Sequence, residues 1–417
     1  MYPVLSSFEL HTIFSVQLIC LTAIYFAVQL PQSIALLKNK RHFLVSVVGI
    51  LALQLGFAAL QTTEIGDVKL FAGAGWYFRH ATDFYFIDAE HTQYPFFPFL
   101  IFLYAVLNPI QELFPFLTFS FFLKGVLSII LLVISWFILK KPTHSSQQRR
   151  SIVLQLLAHP VTTAVIFLHG QVDAFLVMFV VAAAYTTTVT QQKTSLLIRI
   201  ALFTASIASK TWSVLLLPFF VLNEKLWWQR VSFVALVAFG LLANVFAYTR
   251  LVDGSSVRTV LPAVTQAGGP IGEWGITLVL NAPEFWQKNG TIILIIGAVI
   301  FTILVRRIKR PIWESLLLLV LLIQSILPRW GIQYLFWSIP FWYLSEQKNH
   351  KPRQLFFLAA SLYAAANYYN IANQMGNLSA PIPEFHIKTL SFITWCTVIF
   401  AVWEMCQSKS RKNDGGR

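Results

Sequence analysis

The chain has 417 residues, 57% of them hydrophobic and only 12% charged, with a mean hydropathy of +0.66 and a formal net charge of +14. A soluble domain carries roughly twice that share of charge, so a soluble globular enzyme is excluded. The basic excess sits in short loops between apolar runs of about 17–22 residues, as membrane orientation determinants do, and not in a nucleic-acid-binding patch.

Runs of this kind must be helices, because a helix satisfies its own backbone polar groups in lipid. The expected fold is all-α: a polytopic transmembrane helical bundle of about thirteen spans, one domain over residues 1–417. Residues 11–30 form the first span, and no small-residue cleavage pattern follows, so it reads as a retained helix. Lys38, Lys40 and Arg41 mark the cytoplasmic side, which makes residues 1–42 an N-terminal span with its basic loop. Residues 43–60 return, placing 62–95 on the non-cytoplasmic face as a first large loop carrying interfacial helices. Residues 95–108 are short for a crossing and open on Pro95 and Pro98, as an interfacial or re-entrant helix would. Residues 116–139 then cross inward to Lys140, Lys141, Arg149 and Arg150.

Residues 151–168 cross out, HGQVDA (169–174) turns, and 175–189 come back to Lys193 and Arg199. A shorter pair, 196–209 and 211–222, turns at Lys210 and is followed by Lys225 and Arg230. Residues 232–248 lead to a loop, 249–289, containing GGPIGEWG. Residues 291–305 return to Arg306, Arg307, Lys309 and Arg310. Residues 312–327 cross out, PRWGIQ (328–333) turns, and 334–345 reach Lys348, Lys351 and Arg353. Spans 355–369 and 389–405 complete the set, and 407–417 form a basic cytoplasmic tail. The basic residues thus place the N-terminus outside and the C-terminus inside. Cys20, Cys396 and Cys406 lie in apolar runs without metal or redox spacing and read as packing residues.

The loop 62–95 stands out. It holds Glu64, Asp67, Asp83, Asp88 and Glu90, out of only 17 acidic residues, together with His80, His91 and many aromatics. A solvated loop that happens to be acidic is the plain alternative. Asp67 directly follows an outward-going span, so that helix fixes its depth. Gly66, Gly73 and Gly75 would let backbone and substrate approach closely. Leu70, Phe71, Ala74, Tyr77 and Phe78 recur at helical spacing and predict a short helix on the membrane surface. Asp83, Asp88 and Glu90 lack that anchor. The Asp88-x-Glu90 spacing would suit a hard divalent cation.

The other unusual polar groups fall on the same face: His169, Gln171, Asp173, Lys210, Arg329, Gln333 and Tyr334. Ionisable groups at membrane depth are either paired or functional. Asp173 and Lys210 would equally make an interhelical ion pair, Arg329 would snorkel to the interface, and His169 would close a helix end.

These pieces resemble the GT-C class of membrane glycosyltransferases, which take a sugar from a polyprenyl-phosphate donor. The matching residues are Gly66-Asp67, Gly75 with Tyr77, and QYPFFPFLIF (93–102). HGQVDAFL resembles the family's Gly-Gln-x-Asp/Asn turn, and Lys210 followed by LLLPFF resembles its Lys-then-Pro helix. IQYLFWSIPF (332–341) resembles its late Gln-Tyr…Trp…Pro helix. The likeness is greatest to polyprenol-phosphate-mannose-dependent mannosyltransferases and extends over about residues 62–345. The chain departs from that pattern by an extra N-terminal span. Asp88 and Glu90 would suit the metal-dependent oligosaccharyltransferase branch, but that branch's matching motif elsewhere is not visible. No nucleotide-phosphate loop, zinc spacing or G-x-S-x-G occurs either.

The resemblance implies an integral, multi-pass membrane enzyme, of the cell membrane in first place and otherwise of the endoplasmic reticulum. It would move a hexose, mannose favoured, from a polyprenyl-phosphate donor to a lipid-linked or glycan acceptor on the non-cytoplasmic face. Asp67 is the implied base, with Asp88, Glu90 and Asp173 as secondary acidic candidates. Lys210, Arg329 and His169 are the candidates for the donor phosphate. His80, His91, Tyr94, Gln171, Gln333 and Tyr334 are those for sugar and acceptor, and Trp76, Tyr77 and Tyr85 would stack on sugar rings. A lipid phosphate is already a leaving group, so no cofactor is expected, with a divalent cation at Asp88 and Glu90 as the alternative. A single base implies inversion. A flippase or transporter would want polar groups at the midplane and an internal repeat, neither of which is visible. A polymerase or ligase of lipid-linked glycans would share the donor and the face. Nucleic acid is not an expected partner.

Overall fold

The computed structural model describes residues 7–61, 66–88, 96–141, 144–189, 193–265, 271–346, 350–376 and 381–407. Among them there is no strand; a lone bridge pairs Thr82 with Asp253. The chain opens with α1 (Ser7–Ala27), α2 (Pro31–Leu36) and α3 (Lys40–Leu60). Next come α4 (Gly66–Arg79), α5 (Phe84–Asp88), α6 (Phe99–Leu113) and α7 (Phe119–Leu139). α8 (Ser146–Ala158) and α9 (Pro160–Thr162) run on through a π turn, Thr163–Leu168. α10 (Asp173–Val189) and α11 (Lys193–Ser209) follow, then a 3₁₀ segment, Thr211–Leu216, leading into α12 (Leu217–Asn223). α13 (Trp227–Leu251), α14 (Val257–Thr265), α15 (Gly275–Val279), α16 (Pro283–Ile308) and α17 (Ile312–Ile326) come next. A 3₁₀ turn, Ile332–Tyr334, enters α18 (Leu335–Leu344), and α19 (Lys351–Gly376) and α20 (Glu384–Gln407) complete the order.

Five helices, α3, α7, α13, α16 and α20, are long and apolar enough to cross a membrane, and α8 with its continuation makes a sixth if counted as one span. At 1.5 Å per residue they reach roughly 30–40 Å, against about 30 Å of hydrocarbon. Most of the remaining apolar runs form shorter helices, while run 355–369 lies in the 26-residue α19, which is long but less apolar. Runs 211–222 and 334–345 begin as 3₁₀ turns, and each carries a proline, Pro218 or Pro340, which removes a backbone donor. Hydropathy alone did not reveal those breaks.

Helices apolar on every side belong in the interior. α18 is buried along its whole length, and α17 is buried from Ser315 to Leu321. α10 packs against α7, α11 and α18. Outside this centre, α13 and α16 expose Val231, Phe239, Ile295 and Ile303, among other apolar side chains. Two sets of contacts define the ends of the bundle. At one end Arg150 donates to the Leu37 and Lys38 carbonyls, Lys141 donates to the Ser345 carbonyl, and Arg199 pairs with Glu224. Asp67, Lys124, His169, Lys210 and Trp337 gather at the other.

α4 forms where the apolar spacing predicts it, with Val68, Phe71 and Ala74 buried. It lies on α6: Phe71 stacks on Tyr104 at 5.1 Å, and Phe78 meets Phe102 edge-on at 5.1 Å. A Cβ added at Gly75 would come within 2.5 Å of the Tyr104 carbonyl carbon, so this glycine seats one helix on another. Arg79 bridges to Glu112 at 2.5 Å and holds that exposed carboxyl below its usual range.

Candidate functional site

The site is assembled by a broken helix. Pro160 has no backbone N–H, so the helix that starts at Ser146 bends by 41° at His159. The His159 ring caps the second half, its Nδ1 accepting from Val161 N at 3.1 Å. The backbone then widens into the π turn, which ends as His169 N donates to the Ala164 carbonyl and Gln171 N to the Val165 carbonyl. Such widened turns re-aim the residues that follow them. Gln54 of α3 braces this one, donating to Thr163 Oγ1 at 3.1 Å. Gly170 sits at φ +78°, and an added Cβ there would lie 2.9 Å from Val68 Cγ2. Only glycine therefore lets the 169–172 turn touch α4.

That contact joins two motifs far apart in the chain. The Gln171 amide donates to Asp67 Oδ2, and His169 Nε2 stands 3.6 Å from the same oxygen. Gln171 Nε2 is also 3.2 Å from His169 Nε2, and His169 Nδ1 is 2.9 Å from the Tyr368 hydroxyl. One assignment satisfies all these atoms: the amide donates to both Asp67 and Nε2, while a neutral imidazole donates from Nδ1 to Tyr368. Burial holds the His169 imidazole below its ordinary pKa, opposed by the Asp67 carboxylate, in keeping with a neutral ring. The Asp67 side chain remains 50% exposed while His169 is buried, so a ligand can reach the carboxylate.

Beside this trio lies a closed ion pair. Lys210 Nζ donates to Asp173 Oδ2 at 2.5 Å, and Trp337 Nε1 donates to Oδ1 at 2.6 Å. Both charged side chains are buried, at 2% and 0% exposure. The ammonium also stands over the rings of Phe96 and Tyr334, at 5.4 and 5.5 Å. Arg329, half-buried, occupies the turn after α17. Its neighbour Trp330 stacks on Trp274 at 3.6 Å, and Trp274 donates to the Gln324 carbonyl, which fixes that turn.

The structure thus brings together Asp67, His169 and Gln171, with Asp173, Lys210 and Tyr334 alongside. Gln333 folds back over its own turn against Gly331. His80 points elsewhere: it is exposed, stacked on Trp76 at 4.0 Å, with Nδ1 bonded to the Trp76 carbonyl. Tyr85 donates to the Phe96 carbonyl and is buried, so its ring is a packing group. Asp83 is buried too, capping α5 through Tyr85 N and accepting from Tyr248 and Thr259. Glu90, His91 and Tyr94 lie outside the described residues, as do Glu64 and the side chain of Asp88.

Two participants, Lys124 and Tyr368, escaped the sequence reading. Lys124 is fully buried near the start of α7, donating to Gln61 Oε1 and to the Leu168 carbonyl that precedes the site turn. A lysine inside an apolar run was the available signal. Tyr368 carried none, since its role depends on His169, 199 positions away, and Trp337 was marked only as the Trp of IQYLFWSIPF, without its bond to Asp173.

No family model, curated protein or solved structure matches this chain.

Proposed function

We propose that this chain is a multi-pass membrane glycosyltransferase of the GT-C type. It moves a hexose, mannose in first place, from a polyprenyl-phosphate donor to a lipid-linked or glycan acceptor on the non-cytoplasmic face. The carrying observation is the meeting of a half-exposed Asp67 with His169 and Gln171. The proposed topology keeps thirteen crossings, the shorter helices included, with N-terminus out and C-terminus in. Basic residues collected at the end away from Asp67 support that sidedness.

In this reading both protein contacts fall on Oδ2 of Asp67, and Oδ1 takes the acceptor hydroxyl. As the acceptor oxygen attacks the anomeric carbon, its proton passes to Asp67. The bond from that carbon to the phosphate oxygen breaks, and the phosphate leaves with the electron pair. One displacement inverts the anomeric centre. Arg329 is the leading partner for the departing phosphate, because a guanidinium meets two phosphate oxygens at once. Lys210 comes second, since Asp173 already balances its charge. His169 and Gln171 act as positioning residues through Asp67.

The test is transfer by purified protein from a panel of polyprenyl-phosphate sugars. Product from one donor, with inverted linkage, is expected. Folded protein that uses no donor in the panel refutes the reading.

A further inference from the structure

A cavity of about 460 Å³ opens at the end of the bundle away from Asp67. α10 sets the separation: Asp173 begins that helix, and Thr187, roughly 20 Å along it, lines the cavity. Phe219 and Val305 are buried apolar members of its lining. Arg199, Lys225, Arg306, Lys309 and Arg310 supply positive charge, against Glu224 alone among acidic lining residues. Arg199, itself buried, is spent on Glu224, with two bonds of 3.0 and 3.1 Å, and Arg310 pairs with Glu314 at 2.7 Å. Among the described residues Lys225, Arg306 and Lys309 make no ion pair, so the cavity keeps a net positive charge.

Its construction suits an amphipathic ligand. α12 is a short wedge that packs on both α13 and α16, and the apolar surfaces of those two helices adjoin it. Val231 on α13 and Ile303 and Leu304 on α16 are exposed there, and Trp227 stands exposed just beyond Lys225. Lys309 ends α16 in the left-handed region, φ 52°, where glycine is the usual occupant. A lysine there keeps charge at the rim despite the backbone strain.

We propose that this cavity binds the phosphate ester head group of an anionic membrane lipid, whose acyl chains lie along α13 and α16. Uncompensated Lys and Arg groups attract such head groups, and Arg306 can meet phosphate oxygens in pairs. A freely dissolved phosphate would satisfy the same cations but would make no use of the apolar flanks. The site is independent of the proposed sugar transfer.

Native mass spectrometry of the detergent-purified full chain, titrated with phosphatidylglycerol or phosphatidylcholine, tests the proposal. Selective retention of phosphatidylglycerol is expected, weakened roughly ten- to thirtyfold in R306Q/K309Q. The pair R258Q/K288Q removes equal charge from exposed positions near the other end and should bind as wild type does. All four side chains are exposed, so folding should survive, and Lys225→Gln alone gives a second, milder reading. Equal binding by R306Q/K309Q and wild type overturns the site. Equal loss in R258Q/K288Q reduces it to net charge. Displacement of phosphatidylglycerol by millimolar inorganic phosphate, with no preference for the lipid, overturns the lipid assignment.

Discussion

Asp67 and Gln171 are 104 positions apart, and the amide of one donates a hydrogen bond to the carboxylate of the other. A half-exposed carboxylate on a helix N-terminus would otherwise be free to rotate. Here the 169–172 turn, pressed against Val68 through Gly170, sets its direction. A catalytic base needs that fixed direction toward the proton it removes.

Replacing Asp67 with Asn keeps the size and most hydrogen bonding of the side chain but removes the proposed base. Turnover should fall by about 10²–10⁴, with folding and donor binding largely kept. Asp88→Asn and Glu90→Gln should lose less. Wild-type turnover in Asp67→Asn beside a dead Asp88→Asn or Glu90→Gln would mean that another carboxylate does the work. Full activity in all three would reduce the loop to a solvated connector.

Much of this centre was legible before folding, because its members are polar residues in an apolar chain. His169, Gln171, Asp173 and Lys210 stood out as polar groups among apolar runs, and Asp67 by its place directly after a span. One pairing, Asp173 with Lys210, was among the sequence's alternatives and forms, but the pairings with aromatic side chains could not be read. The bond from Trp337 to Asp173 and the contact of Tyr368 with His169 arise only when distant helices pack. The 41° bend and its π turn depend on one proline acting with that packing. Gly75 looked like a place for substrate, yet it accommodates Tyr104 of α6. Hydropathy read about thirteen apolar runs, of which five or six form helices long and apolar enough to cross; an apolar run does not announce whether it starts as a 3₁₀ turn.

His169 gives a pH signature. Burial lowers its folded pKa below that of the unfolded chain, so the unfolded state takes up the proton first. Above about pH 6.5 the residue contributes no slope, being neutral in both states. As pH falls below that value the native state loses stability, until its own depressed pKa is reached. His169→Gln should therefore show a flatter fall in thermal stability than wild type between about pH 6.5 and 5. Parallel curves would mean that His169 titrates as freely as an exposed imidazole.

A lipid-phosphate donor removes the need for a nucleotide and its metal. Sugar transfer should persist in excess EDTA and ignore nucleotide sugars. Activity lost to the chelator and restored by a divalent ion would promote Asp88 and Glu90 to ligands.

Sidedness is open to direct labelling. With Cys20, Cys396 and Cys406 replaced, Thr92→Cys and Thr265→Cys should react with an impermeant thiol reagent in intact cells. Ser145→Cys, beside Arg149 and Arg150, should not. Labelling of Thr92→Cys and Ser145→Cys from the same side would end the proposed topology.

The Lys210–Asp173 pair separates architecture from phosphate binding. Both side chains are buried, the ion pair is 2.5 Å long, and Trp337 occupies the second carboxylate oxygen. Lys210→Met would leave a buried carboxylate with one neutral donor, and the loss of stability should be about 3–5 kcal/mol. Removing both charges, as in Lys210→Met with Asp173→Leu, takes away the stranded anion and should recover most of that loss. A residue of about 1–3 kcal/mol would remain, because the Trp337 N–H then lacks its acceptor. Thermal unfolding in detergent should accordingly rank wild type first, the double variant next and Lys210→Met last. A double variant no more stable than Lys210→Met would mean that the pair is not the reason for either charge. Activity of the folded double variant then decides the second question. If Arg329 meets the departing phosphate, transfer should survive at reduced turnover with the donor KM little changed. A folded but inactive double variant would return Lys210 to the phosphate.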